Sequence, residues 1–259
     1  MKKLKYLVAA AAMCVVGGFL YPSVISNAPI VEWANESELA EKWTRSTQTS
    51  AHTLPVHNLE YVSAREKARK AAVRVLTPDG RGSGVYVKIG QYHVIVTAQH
   101  VVDNHEVVLV EGLNGEVVLG QPILRGTEVD VAYVLVPEIN SRRPVRYNPM
   151  HAPRDIDRLV GKDVTYSGYP ASHDLMTLDG KIIGVENGNI IIHSYGWPGS
   201  SGSGVFDMTG RMVGVVSAVD VGQWHYMIPP QLVEDIVWVA PVWSIQEKDI
   251  KAYLKSRGM

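Results

Sequence analysis

Short runs of apolar and β-branched residues, separated by polar turn residues, follow one another along most of this chain. The runs begin at Ala72 and include "AVRVL", "GVYVKI", "HVIVTA", "DVAYVLV", "NIIIHS" and "MVGVVSA". Val, Ile and Tyr favour strands because their side chains pack well on a half-buried pleated surface. Pairs typical of tight hairpin turns lie between runs, at Pro78-Asp79-Gly80, Asn114-Gly115, Asp179-Gly180 and Asn187-Gly188. Many short strands at this spacing predict an all-β barrel or sandwich and not a parallel βαβ sheet.

Helical patterns precede the β-rich part of the chain. Asn35 with Glu38 and Ser63 with Glu66 have capping-box spacing, which predicts short helices in "ESELAEKW" and "AREKARKA". The polar stretch "STQTSAHTLPVHN" between them indicates a linker, because it contains a proline and few apolar residues.

A helical pattern also follows the β-rich part. From Gln231 onward we expect helix, with Ser244 and Glu247 as a cap for "IQEKDIKAYLK". Within that segment a rough apolar stripe is formed by Ile245, Ile250, Tyr253 and Leu254.

The N-terminus has the pattern of an export signal. Lys2, Lys3 and Lys5 are followed by an apolar run at residues 6–21, and a basic start before an apolar core is typical of such signals. The length of this run lies between that of a signal core and that of a membrane span. Ser26-Asn27-Ala28 resembles a cleavage site, but Pro29 would hinder processing. A cleaved signal peptide and a retained membrane anchor therefore both stay open, and either predicts an extracytoplasmic protein.

These patterns divide the chain into four segments. We expect a signal peptide or anchor at 1–28, a lead-in at 29–70, the β-rich domain at 71–240 and a helical tail at 241–259.

The composition limits the chemistry. The chain has 259 residues and a formal net charge of -1, so a surface for nucleic acid is not expected. Cys14 is the single cysteine and lies in the N-terminal apolar run, so the β-rich domain has no disulfide and no cysteine nucleophile. The histidines show no spacing for metal ligands. We therefore expect no metal and no cofactor.

Three separate segments carry side chains suited to acid–base and nucleophilic chemistry. His100 ends the apolar run "VIVTAQH", and Asp130 opens the apolar run "DVAYVLV". Imidazole titrates near neutral pH, and a carboxylate beside a buried strand is costly unless it is paired. Ser201 lies between Gly199 and Gly202, where glycine allows backbone N–H groups to converge on a developing negative charge. Each feature also has a structural interpretation, namely a core histidine, a solvated aspartate and a flexible turn.

Taken together, these segments resemble the trypsin/chymotrypsin-like serine peptidases. "TAQH" is similar to that family's TA-x-H, "DVA" to its D-[IV]-A, and "GSSGSGVFD" to its G-x-S-G-G-P region, in the family's order of His, Asp and Ser. "GSGVYV" and "MVGVVSA" resemble the flanking strands, whereas Ser203 and Gly204 stand where the family has glycine and proline. The resemblance implies two six-stranded antiparallel β-barrels with a short lead-in and a C-terminal helix. Because the disulfides of vertebrate members are absent, the chain looks more like bacterial or viral members.

The resemblance also implies roles for individual residues. Ser201 is expected to be the nucleophile of an endopeptidase that forms an acyl-enzyme, with His100 as general base and then acid. Asp130 is expected to orient the imidazole, and Ser217 to support Asp130. The backbone N–H groups of Gly199 and Ser201 are expected to form the oxyanion hole.

The resemblance also indicates which residues form the substrate pocket, but less specifically than it indicates the catalytic residues. The floor of the pocket falls on or near Tyr195, where an aspartate would have implied a preference for Lys or Arg at the cleaved bond. We assign His193, Val219 and His225 to the same pocket, although both histidines also fit ordinary surface positions. We expect a small or uncharged residue at this site, in a polypeptide substrate.

Other functions fit the sequence less well. An α/β-hydrolase needs the order Ser, Asp, His and many helices, and no H-E-x-x-H motif of a metalloprotease is present. The glycine-rich "DGRGSG" at 79–84 lacks the lysine of a phosphate-binding loop, so we interpret it as a turn. The main alternative is a non-catalytic or zymogen-like protein of the protease fold that binds or scaffolds, with the lead-in as a propeptide or cover. Residues 6–21 leave membrane association open.

Overall fold

The structure is a computed structural model that describes residues 58–126, 129–153, 156–222, 231–243 and 245–258. The apolar run at 6–21, the lead-in before residue 58, His225 and Ser244 lie outside these residues. Across the described ranges, no helix has the length and apolar character needed to cross a membrane.

The first β-barrel follows directly after a helix, α1 (Asn58–Ala71), and contains six strands. Their bounds are β1 (Ala72–Thr77), β2 (Gly80–Ile89), β3 (Tyr92–Thr97), β4 (Val108–Glu111), β5 (Val117–Arg125) and β6 (Ala132–Val136). The sheet order is β1-β4-β5-β6-β3-β2, and antiparallel pairing of β1 with β2 closes the barrel. A short strand, β7 (Val145–Arg146), adds to β2 in the parallel direction.

The second β-barrel also closes from six strands. Their bounds are β8 (Asp163–Gly168), β9 (Met176–Glu186), β10 (Asn189–His193), β11 (Gly204–Asp207), β12 (Met212–Gly222) and β13 (Gln231–Pro241). Short 3-10 turns at Ile156–Leu159 and Pro170–Ser172 flank β8. The expected pair of six-stranded antiparallel barrels is therefore confirmed.

Each barrel closes around its own apolar core. β-Branched and aromatic residues fill the interiors, with Tyr86, Ile95 and Val134 in the first barrel and Val164, Ile190 and Val239 in the second. Strands β2 and β3 are buried along most of their length. In both strands the apolar residues are consecutive, at residues 85–87 and 94–96, and do not alternate with polar ones.

The turn predictions were partly wrong. Asn114-Gly115 and Asn187-Gly188 have positive φ at both residues, as hairpin turns of this kind require. Pro78-Asp79 also forms the predicted turn, between β1 and β2, which pair from Thr77 with Gly80. Asp179-Gly180, in contrast, lies inside β9, and "DGRGSG" belongs to β2 from Gly80 onward. A side chain at position 180 would lie 2.8 Å from the carbonyl oxygen of His193. Gly180 is therefore set by the close approach of a neighbouring strand and not by a turn.

The prediction of helix from Gln231 was wrong for the first part of the tail. Residues Gln231–Pro241 form β13, which pairs with β10 and β12 to close the second barrel. Val233, Ile236, Val237 and Val239 are β-branched in this segment. Their strand preference combines with pairing on both sides, and long-range pairing outweighs a weak helical pattern.

Helix α1 begins at Asn58, five residues before the predicted cap at Ser63. Ala64, Ala68 and Ala71 are buried at helical spacing, so α1 presents a narrow strip of small side chains to the barrels. Arg69 donates to the backbone oxygen of Leu175 at 3.0 Å. The helix is thus attached to the segment that follows β8.

The C-terminal helix is α3 (Glu247–Ser256). Gln246 and Asp249 form a reciprocal capping box at its start, two residues after the predicted cap at Ser244. Ile250 and Leu254 are fully buried and belong to the core of the first barrel. The tail therefore returns from the second barrel to cover the first.

Candidate active site

His100 lies in α2 (Gln99–Val102), the single helical turn that follows β3. Its ring Nδ1 lies 2.7 Å from Oδ2 of Asp130, and its backbone N–H donates to Oδ1 of the same carboxylate at 3.0 Å. A carboxylate only accepts hydrogen bonds, so Nδ1 carries the proton and the neutral ring keeps its lone pair on Nε2. The His100 side chain is 41% exposed and that of Asp130 is 22% exposed. The imidazole is therefore oriented by Asp130 and still accessible.

Ser217, on β12, contacts both Asp130 and Ser201. Its hydroxyl donates to Oδ2 of Asp130 at 2.5 Å, and its backbone oxygen accepts from the hydroxyl of Ser201 at 3.5 Å. In this way a strand of the second barrel meets a carboxylate that belongs to the first.

The pKa values of His100 and Asp130 move apart. Burial of the ring lowers the pKa of His100, but its hydrogen bond to Asp130 and the charge of that carboxylate outweigh burial and leave the pKa raised. Burial raises the pKa of Asp130, yet the hydrogen bond and charge of His100 and the hydrogen bond from Ser217 leave it lowered. Both shifts favour an ionised Asp130 beside an imidazole that accepts a proton readily.

The hydroxyl of Ser201 contacts the backbone oxygen of Ser217 and is not hydrogen-bonded to the imidazole of His100. Within the described ranges, the one hydrogen bond of this hydroxyl goes to the backbone oxygen of Ser217. Hydrogen bonds between a nucleophile and its base are often long in structures without substrate and become shorter when substrate binds.

The backbone around Ser201 leaves two N–H groups free. No acceptor among the described residues pairs with the N–H of Gly199 or of Ser201, whereas Ser200, Gly202 and Ser203 all donate to backbone oxygens. Two free amide donors beside a serine hydroxyl form a suitable binding site for a developing oxyanion.

The carbonyl groups of this loop are all occupied. The carbonyl oxygens of residues 197–201 accept, in chain order, from Ser200 N, Ala171 N, Ser83 Oγ, Ser203 N and Ser83 N, at 2.7–2.9 Å. Because each carbonyl is held, no carbonyl of the loop is free to turn toward the amide pair.

Two glycines allow this backbone path. Gly199 has φ +102° and Gly202 has φ +88°, in the region that side chains disfavour. A Cβ at position 199 would lie 2.5 Å from the backbone oxygen of Tyr169, and one at position 202 would lie 2.0 Å from that of Ser83. The loop is therefore packed between the two barrels, with no space for larger residues.

Residues 82–215 match the family model of the trypsin-like peptidase domain. This chain belongs to the trypsin-like peptidase family. The match includes His100, Asp130 and Ser201. A comparison with curated protein sequences found no match.

Solved structures with the same fold include known proteases. A serine endoprotease from Yersinia pestis has a TM-score of 0.56 and 21% identity, over 75% of this chain and 66% of the Yersinia chain. The Rv3671c protease from M. tuberculosis, in an inactive form, has a TM-score of 0.53 and 17% identity, over 81% of this chain and 98% of that chain. At these identities the likeness shows a shared fold. This chain therefore spans about two thirds of the length of the Yersinia protein.

The residues assigned to the substrate pocket do not all meet in the structure. Tyr195 and His193 line an open cavity of about 950 Å³ together with four carboxylates, those of Asp163, Asp179, Glu234 and Asp235. Tyr195 is 40% exposed, and Nε2 of His193 lies 3.6 Å from Oδ2 of Asp235. The described lining of this cavity contains neither His100 nor Ser201. The cavity is therefore separate from the nucleophile.

Val219 lies elsewhere, beside the loop that leads to Ser201. A Cβ at Gly196 would lie 3.2 Å from a methyl of Val219 and 2.6 Å from a methyl of Val237, its partner across β12 and β13. These two valines crowd the backbone of Gly196 from adjacent strands. His225 lies outside the described residues.

Sequence reasoning missed Ser83 and Ala171, which contact the loop of Ser201. Ser83 is part of the "GSGVYV" run that resembles a family strand, but nothing in that run indicates a contact with residues far along the chain. Ala171 has φ +49°, a conformation that no local glycine or asparagine pattern predicted. Across the described ranges, no cluster of His, Cys, Asp and Glu is suited to a metal ion.

Proposed function

We propose that this chain is a serine endopeptidase that hydrolyses peptide bonds through an acyl-enzyme. Ser201 is the nucleophile, His100 the general base and acid, and Asp130 the group that orients His100. The backbone N–H groups of Gly199 and Ser201 bind the oxyanion.

The proposed reaction begins when a substrate carbonyl lies over Ser201. Nε2 of His100 takes the proton from the serine hydroxyl as its oxygen attacks the carbonyl carbon. Negative charge moves onto the carbonyl oxygen, which accepts from the N–H groups of Gly199 and Ser201. The tetrahedral intermediate then collapses: the carbonyl re-forms, the carbon–nitrogen bond breaks, and the charged His100 gives its proton to the leaving amine. The same steps with water as nucleophile release the acid product and free Ser201.

The observation that carries this proposal is the pair of free amides beside Ser201. The loop could have folded with a carbonyl in that position, but each carbonyl of residues 197–201 is held by a donor elsewhere. Donors that are fixed before substrate arrives need no reorganisation during the reaction. Such preorganised donors supply a large part of the transition-state stabilisation in sites of this kind. The arrangement therefore supports an active conformation and not a collapsed one.

Labelling with a fluorophosphonate tests the proposal, because this probe reacts with an activated serine. We expect the wild-type chain to be labelled and Ser201→Ala to be inert. Ser203→Ala serves as the matched control, since it removes a buried serine hydroxyl two residues away, and it should be labelled like the wild type. Absence of labelling in the folded wild-type protein would contradict the proposal.

The alternative is a protein of the protease fold that binds without cutting. The missing hydrogen bond between Ser201 and His100 favours it, because an idle site needs no such bond. A folded wild-type protein that binds polypeptide but leaves it intact and resists the fluorophosphonate would support this alternative.

We further propose that the bound residue before the cleaved bond is small or uncharged. The support for this preference is that methyl groups of Val219 and Val237 crowd the backbone of Gly196, in the segment that leads to Ser201. Digestion of a peptide library should give few cuts after Lys or Arg. A cleavage profile dominated by Lys and Arg would contradict this preference.

We propose that residues 6–21 direct export and that the peptidase works outside the cytoplasm on polypeptides. N-terminal sequencing of the mature protein distinguishes the two forms, since a cleaved signal starts the chain near Pro29 and a retained anchor leaves Lys2 in place. Recovery of the intact chain from the soluble cytoplasmic fraction would contradict export.

A further inference from the structure

Ser83, on strand β2 of the first barrel, contacts the nucleophile loop of the second barrel twice. Its hydroxyl donates to the backbone oxygen of Gly199 at 2.7 Å, and its backbone N–H donates to the oxygen of Ser201 at 2.7 Å. The residue is fully buried. The Ser83 backbone oxygen accepts from the hydroxyl of Thr97 at 2.7 Å, so Ser83 is itself held from three sides.

The Ser83 hydroxyl also holds a second element. It accepts from the backbone N–H of Tyr169 at 2.9 Å, at the start of the 3-10 turn Pro170–Ser172. Two residues later, the N–H of Ala171 donates to the backbone oxygen of Pro198 at 2.8 Å. The same hydroxyl therefore fixes Gly199 directly and also anchors the turn that fixes Pro198.

These two contacts determine where the N–H of Gly199 points. In a trans peptide the N–H lies opposite the carbonyl of the preceding residue, so the bond from Ala171 to Pro198 directs the N–H of Gly199 to the other side. The bond from Ser83 fixes the following peptide, that of Gly199 with Ser200. Glycine lacks a Cβ and could otherwise rotate between conformations at little cost. Held on both sides, Gly199 keeps its N–H toward the position of the oxyanion.

We propose that Ser83 is a positioning residue that keeps the oxyanion-binding amide of Gly199 in its active orientation. This inference rests on the proposed peptidase function, because it assigns Ser83 to the oxyanion site of that reaction. Ser83 is buried behind the loop and acts through Gly199, so it does not touch substrate. Loss of its hydroxyl leaves the oxygen of Gly199 and the N–H of Tyr169 without their partner.

The test compares Ser83→Ala with Ser203→Ala in the full chain. Ser203 is also fully buried, but its hydroxyl has no hydrogen-bond partner among the described residues. Both variants remove one buried oxygen from the same region, and only the first removes a contact to Gly199. We expect kcat to fall about 10- to 100-fold in Ser83→Ala, somewhat less than loss of a whole oxyanion donor. We expect KM to change by less than about 2-fold, because substrate binding in the ground state does not use the oxyanion site.

A second measurement separates positioning from a general loss of structure. The rate of fluorophosphonate labelling should fall with kcat in Ser83→Ala, because the phosphonyl oxygen occupies the oxyanion site, while the midpoint of thermal unfolding stays close to that of Ser203→Ala. Ser83→Cys keeps a weak donor of similar shape and should have an intermediate rate. If Ser83→Ala does not accumulate as folded protein, Ser83→Cys takes its place in the comparison with Ser203→Ala.

The outcomes distinguish this inference from the function on which it rests. If wild type and Ser203→Ala are active and the Ser83 variants match them in kcat and labelling, Ser83 has no positioning role and the peptidase function stands. A rise in KM with unchanged kcat would also overturn the inference. If folded wild type and Ser203→Ala are both inert, the peptidase function fails and the role of Ser83 fails with it.

Discussion

Asp130 contacts His100 through both of its carboxylate oxygens, one on the ring at 2.7 Å and one on the backbone at 3.0 Å. The ring contact selects the tautomer with the proton on Nδ1, and the backbone contact fixes the helical turn that carries the ring. The hydroxyl of Ser217 donates to Oδ2, the same carboxylate oxygen that contacts the ring. Orientation and charge of the imidazole therefore depend on a single side chain.

Asp130→Asn should abolish most activity without unfolding the protein. The amide has nearly the shape of the carboxylate, but its NH₂ can face Nδ1 and favour the tautomer whose lone pair points away from Ser201. Loss of this carboxylate costs about 10⁴-fold in kcat in a serine triad. Steady-state kinetics with circular dichroism as a folding control would check the prediction. A loss of less than about 10-fold would contradict the role of Asp130.

The peptidase rate should rise with pH as His100 loses its proton. Only the neutral ring accepts the proton of Ser201, and Asp130 holds the pKa of His100 above its ordinary value of 6.5. The midpoint of the kcat/KM profile should therefore lie above that value. In residual activity of Asp130→Asn the midpoint should move to lower pH, because burial of the ring remains and the stabilising charge is gone. A rate that is flat from about pH 5 to about pH 9 would contradict this assignment.

The raised pKa also links His100 to stability. When the pKa of a group is higher in the folded state than in the unfolded state, protonation of the group stabilises the fold. The stabilisation is complete at pH values below the unfolded-state pKa and disappears as the pH rises through the folded-state pKa. His100→Ala should therefore reduce the midpoint of urea unfolding more at mildly acidic pH than at alkaline pH. An equal reduction at both pH values would mean that the pKa of His100 is the same in the folded and the unfolded state.

Ser201→Ala and His100→Ala should each remove nearly all activity, and the double variant should be no worse than either alone. The two groups carry out one proton transfer together, so losing either one has the full effect. Initial rates of the three variants against a common peptide library would check this. Additive losses in the double variant would mean that the two residues act independently and that the proposed triad is wrong.

The sequence predicted most of the strands and the three motifs of the candidate site, which are formed by residues close together along the chain. It predicted few of the features that depend on contacts between the two barrels. Val-rich runs are strands because their side chains require a pleated, buried surface, and His100, Asp130 and Ser201 lie in motifs with recognisable neighbours. Asp179-Gly180 failed as a turn because Gly180 allows the chain at His193 to approach closely, which no local pattern reveals. The contact of Ser83 with Gly199 joins residues 116 positions apart, so it required the fold itself.

The C-terminal helix should contribute to the stability of the first barrel. Leu254 is fully buried in the core of that barrel, and Leu254→Ala should lower the free energy of unfolding by about 2–5 kcal/mol, since a buried leucine truncation leaves a cavity. Lys255→Ala, on the exposed face of α3, is the control and should change it by less than about 0.5 kcal/mol. Denaturant unfolding measures both. Equal effects would show that α3 does not pack in solution as described.

Val219→Gly should broaden the residues accepted before the cleaved bond. Methyl groups of Val219 and of its partner Val237 crowd the backbone of Gly196, on the path to Ser201. Removing one of these side chains opens space without adding charge, so cleavage after large apolar residues should increase relative to cleavage after small ones. A difference of one methylene group in a hydrophobic pocket is worth about 10- to 200-fold in kcat/KM.

Val221→Gly is the matched control for this change, because it makes the same substitution on the same strand, at a position paired with Leu232 and away from Gly196. Both variants carry the cost of glycine in a strand, so a general loosening of β12 would alter both cleavage profiles alike. A broadened profile in Val219→Gly alone assigns the limit on substrate size to this pair of valines. An unchanged profile in both variants would mean that the bound side chain does not enter the space beside Gly196, and the proposed preference for small residues would then lack its structural cause.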